Sequence, residues 1–143
     1  MADLAPALSE ALLKLIDTAL QHAFRSIEKG GPLVPFVLTA RGDKLEIQRC
    51  VAGADGSNFD LGASADAAKK LARSAPADRV AVAIDGRITG RDGKKQDAIL
   101  VEAFEGGAAF SLTLAQAYEP AKFLRKTKPF GGPVVLGQSE PMW

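Results

Sequence analysis

Cysteine is almost absent: Cys50 is the only one in 143 residues. A single thiol forms no intrachain disulfide and no multi-cysteine metal site. Histidine is as scarce, with His22 alone. A hydrolytic triad would have to use His22 as its base, and the sequence holds no G-x-S-x-G elbow to supply the nucleophile. Neither sign of charge is in excess. Lys plus Arg is 18 and Asp plus Glu is 17, for a formal net charge of +1. That balance gives no global pull toward nucleic acid or an anionic membrane. Long hydrophobic runs are missing too, which argues against a membrane-spanning helix. The beginning of the chain carries Asp3 and a broken apolar pattern rather than a basic start and apolar run, so the expected location is the cytoplasm. No motif calls for a cofactor or a metal.

What is present is ordinary globular material, 47% hydrophobic and 24% charged, in a length that suits one domain. Leu4, Leu8, Leu12, Leu15, Ile16, Leu20, Phe24 and Ile27 recur at three- and four-residue spacing. They predict an amphipathic helix over residues 4–29. Ser9 or Asp3 suits its cap, and Gly30, Gly31 and Pro32 stop it. Residues 33–40 and 44–52 read as two strands joined by a glycine turn at Arg41, Gly42 and Asp43, an antiparallel hairpin. Pro35 cannot donate to a ladder, so its strand starts late or leaves that position unpaired.

Residues 53–63 read as a loop. Ser64 then resembles an N-cap, with Asp66 in the first turn of a helix that ends near Ser74. Residues 79–86, 96–105 and 108–118 read as three further strands joined by glycine turns, a meander. Residues 119–143 contain Pro120, Pro129, Pro133 and Pro141 and read as an irregular tail on a single domain of residues 1–118. The fold class is therefore α+β, a five-stranded antiparallel sheet packed against helices in the order α-β-β-α-β-β-β. The large side chains of the third and fifth strands are expected to meet the helices. The small-residue side, with Ala81 and Ala83, is expected to be solvated or to form an interface.

Candidate chemistry is thin. Glu102 lies in an apolar strand beside Leu100 and Phe104. If that face is covered, it is a semi-buried carboxylate of the kind that serves as acid or base, although such groups are more often salt-bridged. Arg87, Arg91, Lys94 and Lys95 cluster in one turn, and Lys122, Arg125, Lys126 and Lys128 in the tail with Phe123 and Phe130. Together they would make an anion patch if the fold joined them. His22 reads as a surface or boundary residue. Cys50 reads as a small semi-buried one, because strand neighbours such as Arg49 point to the other face. The segment from Asp55 to Asp60 has calcium-like oxygens, but Asp60 and Asp66 stand where an EF-hand needs glycine and glutamate.

The order of elements resembles the roadblock- and profilin-like class of small α+β folds over residues 8–118. That resemblance implies a five-stranded antiparallel sheet sandwiched by helices. It implies dimerisation and scaffolding of small GTPases or motor complexes for the first kind, and binding of proteins or small ligands for the second. The third helix usual after the last strand meets Pro120, Pro129 and Pro133 here. Three functions follow as expectations: a non-enzymatic interaction module that forms a homodimer, a small-ligand sensor with the tail as cover, and a small hydrolase or isomerase using Glu102.

Overall fold

The computed structural model describes residues 9–28, 33–51, 61–74, 76–90, 92–119, 126–129 and 131–143. Helix α1 spans Glu10–Ser26. Ser9 caps it, its Oγ accepting the Leu12 N–H at 3.0 Å, and the same hydroxyl donates to Glu105 at 2.9 Å, tying the helix start to the sheet. The stripe read from the spacing is the buried face: Leu12, Leu15, Ile16, Ala19, Ala23 and Ile27. Leu4, Leu8 and Asp3 lie outside the described residues.

Strands β1 (Phe36–Arg41) and β2 (Lys44–Arg49) form the expected hairpin. Arg41 pairs with Lys44, leaving a two-residue turn in which Gly42 takes a φ of 59°, the left-handed conformation that favours glycine. Pro35 stands just before β1, so the strand does start late. Helix α2 spans Leu61–Ser74. It begins three residues before the expected cap. Ser64, Ala68 and Ala72 recur four apart and all are buried, so Ser64 belongs to the helix's inner stripe rather than its cap. The meander follows as β3 (Arg79–Thr89), β4 (Lys95–Glu105) and β5 (Ser111–Glu119).

The expected five strands are one too few. Val134–Ser139 forms a strand, β7, antiparallel to the first half of β5, where the sequence reading places an irregular tail. A two-residue strand, β6 (Lys128–Pro129), pairs with the other end of β5. The open antiparallel sheet thus has six principal strands in the order β2-β1-β3-β4-β5-β7, with β6 beside the far end of β5.

The assignment of the two faces is also corrected. Register places Leu38, Ala81, Ala103 and Leu112 in one cross-strand row, and Phe36, Ala83, Val101 and Leu114 in the next. This face, small in the middle and large at the flanks, is covered by α1, which lies over β3 and β4. Ala19 and Ala23 of the helix meet it, and small residues on both sides allow close approach. The small side of β3 is therefore closed core, neither solvated nor an interface. The large side chains of β3 and β5 do not share a face. Val80 and Val82 lie on the opposite side with Val37, Phe104, Ala68, Ala72 and Met142, under α2. Trp143 completes that layer, edge-to-face with Phe104 at 5.1 Å and donating from Nε1 to the Ala72 carbonyl at 3.0 Å.

Candidate functional site

Glu102 lies on the α2 face, in the cross-strand row Val82, Glu102, Thr113, Gly137. Helix α2 lies over β1 and β3, off the centre of the sheet. Its outer side overhangs this row and leaves a groove of about 250 Å³. Val82, Ile84 and Leu100 form the apolar lining; Lys69 and Arg73 come from α2, and the hydroxyl residues Thr113 and Ser139 from β5 and β7. Lys69 and Arg73 are four apart and so project from one side of the helix.

Arg73 reaches both oxygens of Glu102, Nη2 standing 3.3 Å from Oε2 and 3.5 Å from Oε1. The carboxylate is the buried member, with its side chain 13% exposed against 45% for Arg73. Both distances exceed the 2.7–2.9 Å typical of a tight charge-assisted bond. Glu105, on the other face, is held by Arg79 at 3.5 Å and by Ser9. Gly86 sits against the groove's lining: a Cβ there would come within 2.7 Å of Leu100 Cδ1.

The basic residues do not converge in what is described. Arg87 pairs with Asp97 at 3.3 Å, whereas Lys126 pairs with Glu28, after the end of α1, at 3.0 Å. Lys128 contributes its backbone to β6 opposite Glu119. Arg91, Lys122 and Arg125 lie outside the described residues, as do Phe123 and Phe130. A wider groove of about 640 Å³, which the sequence did not suggest, opens where the β3–β4 turn faces Gly131, Gly132 and Val134; Lys94 and Lys95 line it.

His22 lies on the α1 face, across the sheet from Glu102, so the two are not brought together. Its ring stands edge-on to Phe36 at 4.8 Å, and its buried Nε2 has no hydrogen-bond partner among the described residues. Burial first, then Arg49 and Arg25, holds its pKa below the usual histidine value. Cys50 is buried, and burial pushes its thiol up, away from nucleophilic reactivity. The loop from Asp55 to Asp60 lies outside the described residues, and among those described no cluster of three potential metal ligands occurs. Nor is any described helix long and apolar enough to cross a membrane.

One polar clasp went unread in the sequence. Asp85 accepts the Tyr118 hydroxyl at 2.7 Å and the Leu33 N–H at 3.0 Å. Burial, that hydrogen bond and the negative charge of Asp85 push the Tyr118 phenol well above its ordinary range, so it stays protonated. Tyr118 and Leu33 lie 33 and 52 residues from Asp85 in sequence, and only the tertiary fold joins the three.

Comparison with protein-family models, with curated proteins and with solved structures finds no match. The roadblock- and profilin-like resemblance thus rests on element order, and no site residue is taken from it.

Proposed function

We propose that this chain is a non-enzymatic interaction module of the cytoplasm that self-associates through the free edge of its sheet. The observation that carries this is β2. All six of its residues are exposed, and among the described residues it pairs with β1 alone. Leu45 is 56% exposed and Ile47 44%, both on the outer strand of the α1 face. An edge that presents unpaired backbone groups beside apolar side chains is a template for another strand.

Symmetry limits how two copies can join. Antiparallel pairing of β2 with its own copy keeps each face on its own side, so opposed residues must have the same parity. Centring the pair on Glu46 sets two glutamates against each other. Centring it on Ile47 opposes Ile47 to itself, Glu46 to Gln48 and Leu45 to Arg49, using Leu45 to Arg49 of the strand without a like-charge pair. The dimer is built on that register.

Sedimentation across a concentration series tests it. The wild type is expected to pass from monomer to dimer with rising concentration, and Ile47→Lys to stay monomeric with an unchanged fold. An Ile47→Cys variant is expected to crosslink across the two-fold axis under mild oxidation. A wild type that stays monomeric at high micromolar concentration overturns the reading.

A further inference from the structure

We infer that the groove beside α2 binds a small zwitterion, an α-amino acid with an aliphatic side chain. The site lies on the α2 face over β3, β4 and β5, remote from the β2 edge, so it stands or falls independently of self-association.

The groove holds charges of both signs over an apolar lining. Val82, Ile84 and Leu100 offer a surface for a short hydrocarbon chain. Lys69 has no ion-pair partner among the described residues, and the hydroxyls of Thr113 and Ser139 have no described protein partner either. At about 250 Å³ the space falls just below the range for drug-sized ligands and suits a molecule of amino-acid size.

The Arg73–Glu102 pair decides the charge of that molecule. A plain anion drawn to Lys69 and Arg73 would take the guanidinium from Glu102 and leave a mostly buried carboxylate uncompensated, which is costly. A plain cation on Glu102 would leave both cations of α2 facing it. A zwitterion satisfies all three groups in one step: its carboxylate takes Lys69 and Arg73, and its ammonium takes Glu102. The long 3.3 and 3.5 Å contacts of the existing pair leave it open to that exchange. Thr113, beside Glu102 on the next strand, and Ser139 supply hydroxyls for the same polar end.

The test is a titration of the full chain, followed by amide chemical shifts and calorimetry, with three probes of nearly the same hydrocarbon. These are leucine, 4-methylpentanoate (no ammonium) and 3-methylbutylamine (no carboxylate). Leucine is expected to shift amides at Lys69, Arg73, Leu100, Glu102 and Thr113, and each single-charge probe to bind at least about tenfold more weakly. Glu102→Gln is expected to weaken leucine about tenfold while leaving 4-methylpentanoate as it was or tighter. Lys69→Ala, on the outer side of α2, serves as a second variant that leaves the core intact, and it too is expected to weaken leucine. Binding of 4-methylpentanoate as tight as that of leucine overturns the zwitterion assignment. Shifts confined to other parts of the molecule, or none with any probe at tens of millimolar, overturn the site.

Discussion

The two faces of the sheet are covered in different ways. On one, a 17-residue helix runs over β3 and β4 and seals rows of alanines between larger flanking side chains. On the other, a 14-residue helix sits off-centre over β1 and β3, and the residues at the end of the chain, Met142 and Trp143, fill part of what it leaves. The first face is closed by local amphipathicity. The second is assembled from distant pieces and keeps an open groove with charges in it. The contrast teaches where to look in this fold: close packing uses up one face, and incomplete cover on the other leaves side chains free to meet something else.

The sharpest way to break that contrast is to ask whether the assembled face bears on stability at all. Phe104 is fully buried there, against Trp143. Phe104→Ala is expected to cost about 3–5 kcal/mol in urea unfolding, the usual cost of deleting a buried ring. Trp143→Ala removes one side of that contact and the bond to Ala72, and is expected to cost about 2–3 kcal/mol. Thr113→Ala, a few residues away in the groove, is expected to stay within about 0.5 kcal/mol. If Trp143→Ala were as mild as Thr113→Ala, the end of the chain would be an ornament on this face rather than part of its core.

The closed face was the more legible one. The stripe of α1, its Ser9 cap and the two-residue turn at Gly42 are all decided by neighbours within a few residues, so spacing reveals them. Which face a strand's large side chains join is decided elsewhere. Val82 and Leu114 each lie on the large side of their own strand, yet the pairing of Ala83 with Val101 and of Val101 with Leu114 sends them to opposite faces. Alternation within one strand cannot show that. Strand β7 was hidden because its apolar run of Val134, Val135 and Leu136 is short, follows Pro133 and is broken by Gly137. The pairing slips there: Thr113 opposes Gly137 and Leu114 opposes Val135, leaving Leu136 as the extra residue of a bulge. Of the candidate site, only Glu102 stood out, as a carboxylate in an apolar strand. Its partner Arg73 is 29 residues away on a helix, and nothing in the sequence joins them.

The closed face has one flaw, and it makes stability depend on pH. The buried Nε2 of His22 has no partner among the described residues, and Arg49 and Arg25 lie near enough to oppose its protonation. The folded-state pKa is therefore below the unfolded value of 6.5. The unfolded chain binds the proton more readily, so this contribution to stability is present above pH 6.5 and lost as pH falls through and below it. His22→Leu, packed on Phe36, is expected to gain about 1 kcal/mol at neutral pH by removing the orphaned nitrogen. The gap between variant and wild type is expected to widen between pH 7 and pH 5, read from urea midpoints. A gap that stays constant over that range would mean that His22 is protonated equally in both states.

The smallest effect belongs to the groove, and its asymmetry is informative. A half-exposed ion pair is worth about 0.2–1 kcal/mol, far less than the buried Phe104 ring on the same face. The two halves of the pair are not equivalent, however, because Glu102 is the more deeply buried. Glu102→Gln leaves Arg73 beside water that can solvate it, so the expected cost is a few tenths of a kcal/mol. Arg73→Met keeps the apolar stem but leaves the carboxylate without its counter-ion, so the expected cost is nearer 1 kcal/mol. Added salt should reduce the first and barely touch the second, since screening acts on exposed charge and not on the desolvation of a covered one. The double variant should then cost less than the sum of the two, the excess measuring their coupling. Equal costs for the two single variants would mean that water reaches Glu102 freely. The open groove would then be as wet as the outer surface, and the difference between the two faces would be one of cover alone, without the partial burial that gives the charges in the groove their selectivity.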